Sequence, residues 1–220
     1  MSARASRLRT LAALALSAAA MFTAAPSAAR EIATREWNFA VSLDGRPIGE
    51  HRYTLHDRGD MRELRSEALF NVRFLFINAY RYEHSAREQW QGDCLQSVDA
   101  RTDANGKPLV VEGERENGAF RIRTGKADVL QDECVQTFAY WNPSILDARR
   151  LLNPQTGEYV DVKVLLMGRE VIDGQQADRY RLIGNGLTPL QIDIWYTPAR
   201  DWLALESLTP EGRRLNYARK

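Results

Sequence analysis

LRSEALFNVRFLFINAYRYEHSAREQW, residues 64–90, carries the periodicity that decides the fold. The even positions Ser66, Ala68, Phe70, Val72, Phe74 and Phe76 form one apolar face, and after a break near Asn78 the even positions Tyr80, Tyr82, His84, Ala86 and Trp90 continue it. Side chains that alternate with a period of two lie on opposite faces of a strand, so this stretch predicts a long aromatic hairpin. Arg81, Glu83, Arg87 and Glu88 are spread along its second half and are expected to face water.

The same period extends in both directions. Upstream, Trp37, Phe39, Val41 and Leu43 alternate with Asn38, Ala40 and Ser42, and Asp44-Gly45 marks a turn. Downstream, strands are predicted over 95–102, 109–114, 120–124, 159–167, 178–183, 190–196, 202–208 and 215–218. Between the strands lie Gly92-Asp93, Asn105-Gly106, Asn117-Gly118, Gly125-Lys126, Asp173-Gly174, Asn185-Gly186 and Glu211-Gly212. These dipeptides supply the positive-φ residues that tight hairpins need. The expected fold is all-β: a single antiparallel meander of about 11–12 strands, forming a curved sheet or an incomplete barrel. One stretch breaks the pattern. Asn142-Pro143 has the form of an N-cap with proline at the first helical position, Ile145, Ala148 and Leu152 recur at helical spacing, and Asn153-Pro154 is a stop. A short helix is predicted from Pro143 to Leu152, placed to plug a barrel end or cover an open sheet face.

The N-terminus has the form of a cleavable export signal. Arg4, Arg7 and Arg9 make a basic region, 11–22 is apolar, and Ser27-Ala28-Ala29 offers small residues at a cleavage site. The expected organisation is a signal peptide over 1–29 and one β domain over 30–220, located in the periplasm. The chain has a net charge of +1 with 30 basic and 29 acidic residues. Losing the three arginines of the signal takes the net charge to −2, which argues against a nucleic-acid partner. Charges spread along Arg81 to Gln91 conflict with the uncharged outer band of a lipid-facing barrel, so an integral membrane protein is not expected.

Cys94 and Cys134 are the two cysteines, and an oxidising compartment makes a disulfide between them the default. Closing a loop of about 40 residues stabilises a fold by roughly 4 kcal/mol in the chain-entropy model. His51 and His56 point to opposite faces of one predicted strand, so no convergent metal set is expected, and His84 reads as a hydrogen-bonded core residue. There is no nucleophile elbow, phosphate loop or dinucleotide fingerprint. No catalytic residue and no cofactor is assigned. Acidic residues are plentiful, which leaves a hydrolase using a carboxylate pair as a third reading. The strongest candidate is an apolar hollow bounded by the hairpin and the helix, with Phe70, Phe74, Phe76, Tyr80, Tyr82, Trp141, Ile145 and Leu152 as its ligand-binding residues. The alternative is that the same side chains fill the interior.

Three runs, 162–174, 177–182 and 192–196, resemble exported proteobacterial proteins of unknown function. Those proteins share the general look of the periplasmic lipoprotein carriers. The resemblance implies an incomplete antiparallel barrel closed by helices over a greasy hollow, although this chain has one predicted helix where the carriers have several. The expected function is therefore periplasmic binding of a lipid or acyl chain. The runner-up is an envelope module that docks a protein partner through a sheet edge or an aromatic surface.

Overall fold

Alternation along the strands sorts side chains into an inner and an outer face. On β1 (Ala33–Leu43), Trp37, Phe39, Val41 and Leu43 are buried while Asn38 and Ser42 between them are half-buried. The computed structural model describes residues 32–74, 77–131, 134–185 and 190–220. The predicted export segment, Phe76 and Gly186 of the predicted Asn185-Gly186 turn lie outside them.

The further strands are β2 (Arg46–Asp57), β3 (Met61–Phe74), β4 (Ile77–Gln91), β5 (Cys94–Ala104), β6 (Pro108–Glu116), β7 (Ala119–Thr124), β8 (Asp128–Gln131), β9 (Arg150–Leu152), β10 (Tyr159–Ile172), β11 (Gln175–Asn185), β12 (Leu190–Tyr196), β13 (Trp202–Leu208) and β14 (Arg214–Arg219). All fourteen form one antiparallel sheet in the order β8-β7-β6-β5-β4-β3-β2-β1-β14-β13-β12-β11-β10-β9. The two ends of the domain meet at its centre, where Phe39 pairs with Arg219 and Leu43 with Leu215. Tight turns carry the expected chemistry. At Asp44-Gly45, Asn117-Gly118 and Asp173-Gly174 both residues have positive φ, the geometry that matches the twist of two antiparallel strands.

The sheet is not closed, and β8 and β9 are its edges. The chain between them has to cross from one arm of the sheet to the other, and residues 134–149 do so as a strap over one end of the barrel. Cys94 and Cys134 are disulfide-bonded at its start. There the Leu95 amide donates to the Val135 carbonyl at 2.8 Å. At the other arm the Tyr196 hydroxyl donates to the Tyr140 carbonyl at 2.7 Å, and Thr137 bridges to Leu152. Beneath the strap the end is solidly packed: Trp141 meets Trp90 edge-to-face at 5.6 Å, Tyr140 lies 5.4 Å from Trp202, and Trp202 lies 4.3 Å from Phe39.

Two expectations are corrected here. The predicted helix over Pro143–Leu152 is a single 3-10 turn, Pro143–Asp147, followed by strand β9. Its start has the predicted cap, with the Asn142 side chain accepting from the Ser144 amide and Pro143 at the first position. The turn ends because Leu151 and Leu152 pair with Val160 and Tyr159 of β10 and bury completely. Ladder hydrogen bonds and burial outweigh the weak stability of a ten-residue helix. The strand count is fourteen because the short edge strands β8 and β9 carry too few residues to show a period.

Candidate functional site

At the end away from the strap the interior is hollow. A cavity of about 870 Å³ is lined from β2–β4, β8–β10 and β12–β14, within the range of roughly 300–1,000 Å³ typical of small-molecule sites. Its apolar wall comes from the second arm: Leu190 and Ile192 of β12, Leu205 and Leu208 of β13, and Leu215 of β14. The loop 153–158 fills the gap between the arms. Gly157, at φ +74°, lies so close to β7 that a Cβ there would sit 2.3 Å from Thr124 Cγ2. Phe138, Ala139 and Tyr140 of the strap close the floor.

The first arm contributes a polar wall. On β2 the odd positions face inward, which brings His51 and Tyr53 into the hollow. On β3 and β4 the even positions do so, which brings Leu64, Ser66, His84, Ala86 and Glu88. His51 Nε2 lies 2.7 Å from Ser66 Oγ, and its Nδ1 faces the hydroxyls of Tyr53 at 3.1 Å and Tyr217 at 3.3 Å. Burial holds the His51 imidazolium well below its usual pKa range. A neutral ring needs one donor nitrogen and one acceptor nitrogen. One ring nitrogen therefore donates and the other accepts, with the Ser66 hydroxyl on one side and the Tyr53 and Tyr217 hydroxyls on the other. His84 Nδ1 lies 2.8 Å from Thr102 Oγ1, and burial pushes its pKa down to about 4.

Glu88 is 3% exposed and stands where the polar wall meets the strap. It accepts from Trp90 Nε1 at 3.0 Å and from Thr137 Oγ1 at 3.3 Å, both on Oε2. Burial raises its pKa to about 7, and these two hydrogen bonds oppose the rise. The reading of Glu88 as an outward charge is therefore corrected. Arg81, Glu83 and Arg87 face outward, whereas Glu88 has the even parity of His84 and Trp90 and points inward with them. A charged residue on an otherwise apolar parity was the signal available in the sequence.

None of the predicted ligand-binding residues that the structure describes, Phe70, Phe74, Tyr80, Tyr82, Trp141, Ile145 and Leu152, is among those lining the hollow. Phe70 and Tyr82 come together, stacked at 5.3 Å, with Phe70 also 6.3 Å from His51 and 6.4 Å from Tyr217. Tyr80 is 39% exposed, Phe74 is the last residue of β3, and Phe76 lies outside the described residues. Trp141, Ile145 and Leu152 are buried in the packed core around the strap and do not line the hollow. The polar residues His51, Tyr53, Ser66, Glu88 and Tyr217 were not anticipated as a group, because their meeting depends on strand register.

A second polar cluster lies outside the barrel, on the runs that carried the family resemblance. Arg181 Nε and Nη2 donate to the two oxygens of Asp193 at 2.6 and 2.8 Å, and Arg179 donates to Oδ2. Burial would raise the Asp193 pKa, but the two guanidinium groups outweigh it and hold the carboxyl below its ordinary value. Arg179 also donates to Glu170, which accepts from Trp195 Nε1 as well. This cluster fastens β10, β11 and β12 together. Among the described residues no group of three or more His, Cys, Asp or Glu side chains gathers as a metal site, and no helix is long and apolar enough to cross a membrane.

Fold and site together define an open β-barrel-like protein with an internal hollow of small-molecule size. The chain belongs to the family of the domain of unknown function DUF6134, whose model matches residues 39–220. Among the curated proteins no sequence matches it. Its fold is similar to that of a solved β-barrel-like protein of the domain of unknown function DUF1849 from Brucella abortus. The TM-score is 0.65 at 8% sequence identity, covering 88% of this chain and 98% of that one.

Proposed function

We propose that this is a periplasmic binding protein that holds a lipid or acyl chain in the hollow. The observation that carries the reading is the cavity of about 870 Å³ whose second-arm wall includes Leu190, Ile192, Leu205, Leu208 and Leu215, while the opposite end of the barrel is packed solid. A filled barrel would bring these walls into contact, as Trp90 and Trp141 are at the strap. Polar groups on the first arm suit an amphiphile better than a plain hydrocarbon. The export signal read in residues 1–29 and the Cys94–Cys134 bridge support the compartment.

The test is native mass spectrometry and lipid extraction of protein purified from periplasm without detergent, together with uptake of an apolar fluorescent dye. Bound lipid, and dye uptake that falls when Ala86→Trp fills the hollow, are the expected results. No co-purifying lipid and equal dye uptake by the folded variant would defeat the reading.

A second reading, an envelope protein partner, is favoured by one observation. The outer edge of β10 is paired with β9 only through Tyr159–Asp161, and beyond it Leu166 is 64% exposed, with Met167 and Val171 also exposed. An exposed apolar strand edge can accept an added strand. Pull-down from periplasmic extract separates the readings, since a stoichiometric protein lost on Leu166→Lys, with no lipid bound, favours the second.

A further inference from the structure

Charge within the hollow is one-sided. Among its described lining residues the basic side chain is Arg150, which is half-exposed, pairs with Asp161 at 3.7 Å and stands over the Tyr159 ring. Its ion pair is with Asp161, and it makes none with Glu88. The deep ionisable groups are His51, His84, Tyr53, Tyr140, Tyr217 and Glu88. Both imidazoles are held neutral by burial, and the tyrosines are neutral phenols. Glu88 is the deep acid, and no described residue of opposite charge pairs with it. Its two hydrogen bonds fall on Oε2, and no hydrogen bond from a described residue reaches Oε1.

We propose that Glu88 is the counter-ion of a cation-headed, single-chain amphiphile, which enters the hollow head first and lays its tail along Leu190, Leu205, Leu208 and Leu215. The inference rests on the reading of the hollow as a lipid or acyl site and adds to it the chemistry of the head. An ammonium group donates to Oε1 and supplies the charge that a buried carboxylate lacks. A carboxylate head at the same depth would meet Glu88 as a like charge and find only neutral rings, which gain a proton too reluctantly to compensate it. A neutral alcohol head forms a hydrogen bond without either gain or repulsion.

The test is competition against a dye held in the hollow, at pH 8, with three probes of one chain length: decylamine, decanol and decanoate. In the unmodified protein, decylamine should displace the dye at a concentration lower than decanoate by roughly tenfold or more, the worth of one charge-assisted hydrogen bond, with decanol between them. In Glu88→Gln, checked for folding by circular dichroism, the ratio between decylamine and decanoate should collapse to within about twofold. Decanoate binding as tightly as decylamine in the unmodified protein would overturn the inference while leaving the hollow a binding site. The same holds if the preference survives in Glu88→Gln. Failure of the dye and all three probes to bind would overturn the reading of the hollow itself, and this inference with it.

Discussion

Replacing Glu88 with Gln keeps the shape of the side chain and an oxygen that can accept from Trp90 and Thr137, but removes the buried ionisation. In the folded protein the carboxyl titrates at about 7, against 4.5 for an exposed glutamate. Between those two pH values the folded chain holds a proton that the unfolded chain has released. Stability therefore falls as pH rises through that window, and the full cost is present above about 7. A displacement of this size corresponds to about 3 kcal/mol. Glu88→Gln does not carry it, so the variant should gain about 3 kcal/mol on the parent between pH 4.5 and pH 8. For a domain of this length that is about 6–12 °C in melting temperature. His51 and His84 titrate in both proteins, so the difference between the two melting curves isolates Glu88. Thermal unfolding followed by circular dichroism at both pH values is the assay. A difference between variant and parent that is the same at pH 4.5 and pH 8 would refute the claim that Glu88 is buried as an ionisable acid.

Three further outcomes are expected. Cys94→Ser should lower the denaturant midpoint, with about 4 kcal/mol as the chain-entropy ceiling for the lost bridge, and dye uptake should persist because the hollow lies at the opposite end; thiols that react freely in the exported parent would contradict the bridge. Asp193→Ala leaves Arg179 and Arg181 facing each other beside a side chain that was 2% exposed, and chemical denaturation should show a loss of about 2–4 kcal/mol, smaller for Asp193→Asn. Gly49→Ala places a Cβ 1.9 Å from the Leu69 carbonyl oxygen at φ +156°, where no side-chain motion relieves the contact, so a loss of about 2–3 kcal/mol is expected. A melting temperature equal to the parent's would mean that β2 and β3 separate more easily here than their register implies.

Local chemistry made the strands and turns legible. The period-two pattern of Trp37 to Leu43 and of Phe70 to Trp90 needs no distant partner to be recognised, and Asp44-Gly45 or Asp173-Gly174 bends the chain by its own conformational preference. Pairing of Cys94 with Cys134 followed from their number and the inferred compartment. The segment 143–152 misled because its apolar spacing suits a helix, while the free edge of β10, which claims Leu151 and Leu152, is contributed by residues further along the chain.

The site was only partly visible for the same reason. Parity places Phe70 and Tyr82 on an inner face, and it equally places Glu88 there, since an inward position is a property of the strand. Whether inward side chains meet or leave space depends on how far apart the curved arms of the sheet stand. His51 reaches Ser66 through the register of β2 against β3, and it reaches Tyr217 only because the last strand closes against the first. The alternation of residues therefore determined which side chains point inward. The crossing of the strap over one end, and the gap spanned by the loop 153–158, decided which of them are packed and which border a hollow, because separation between non-adjacent strands is set by the whole sheet and is encoded in no single stretch of it.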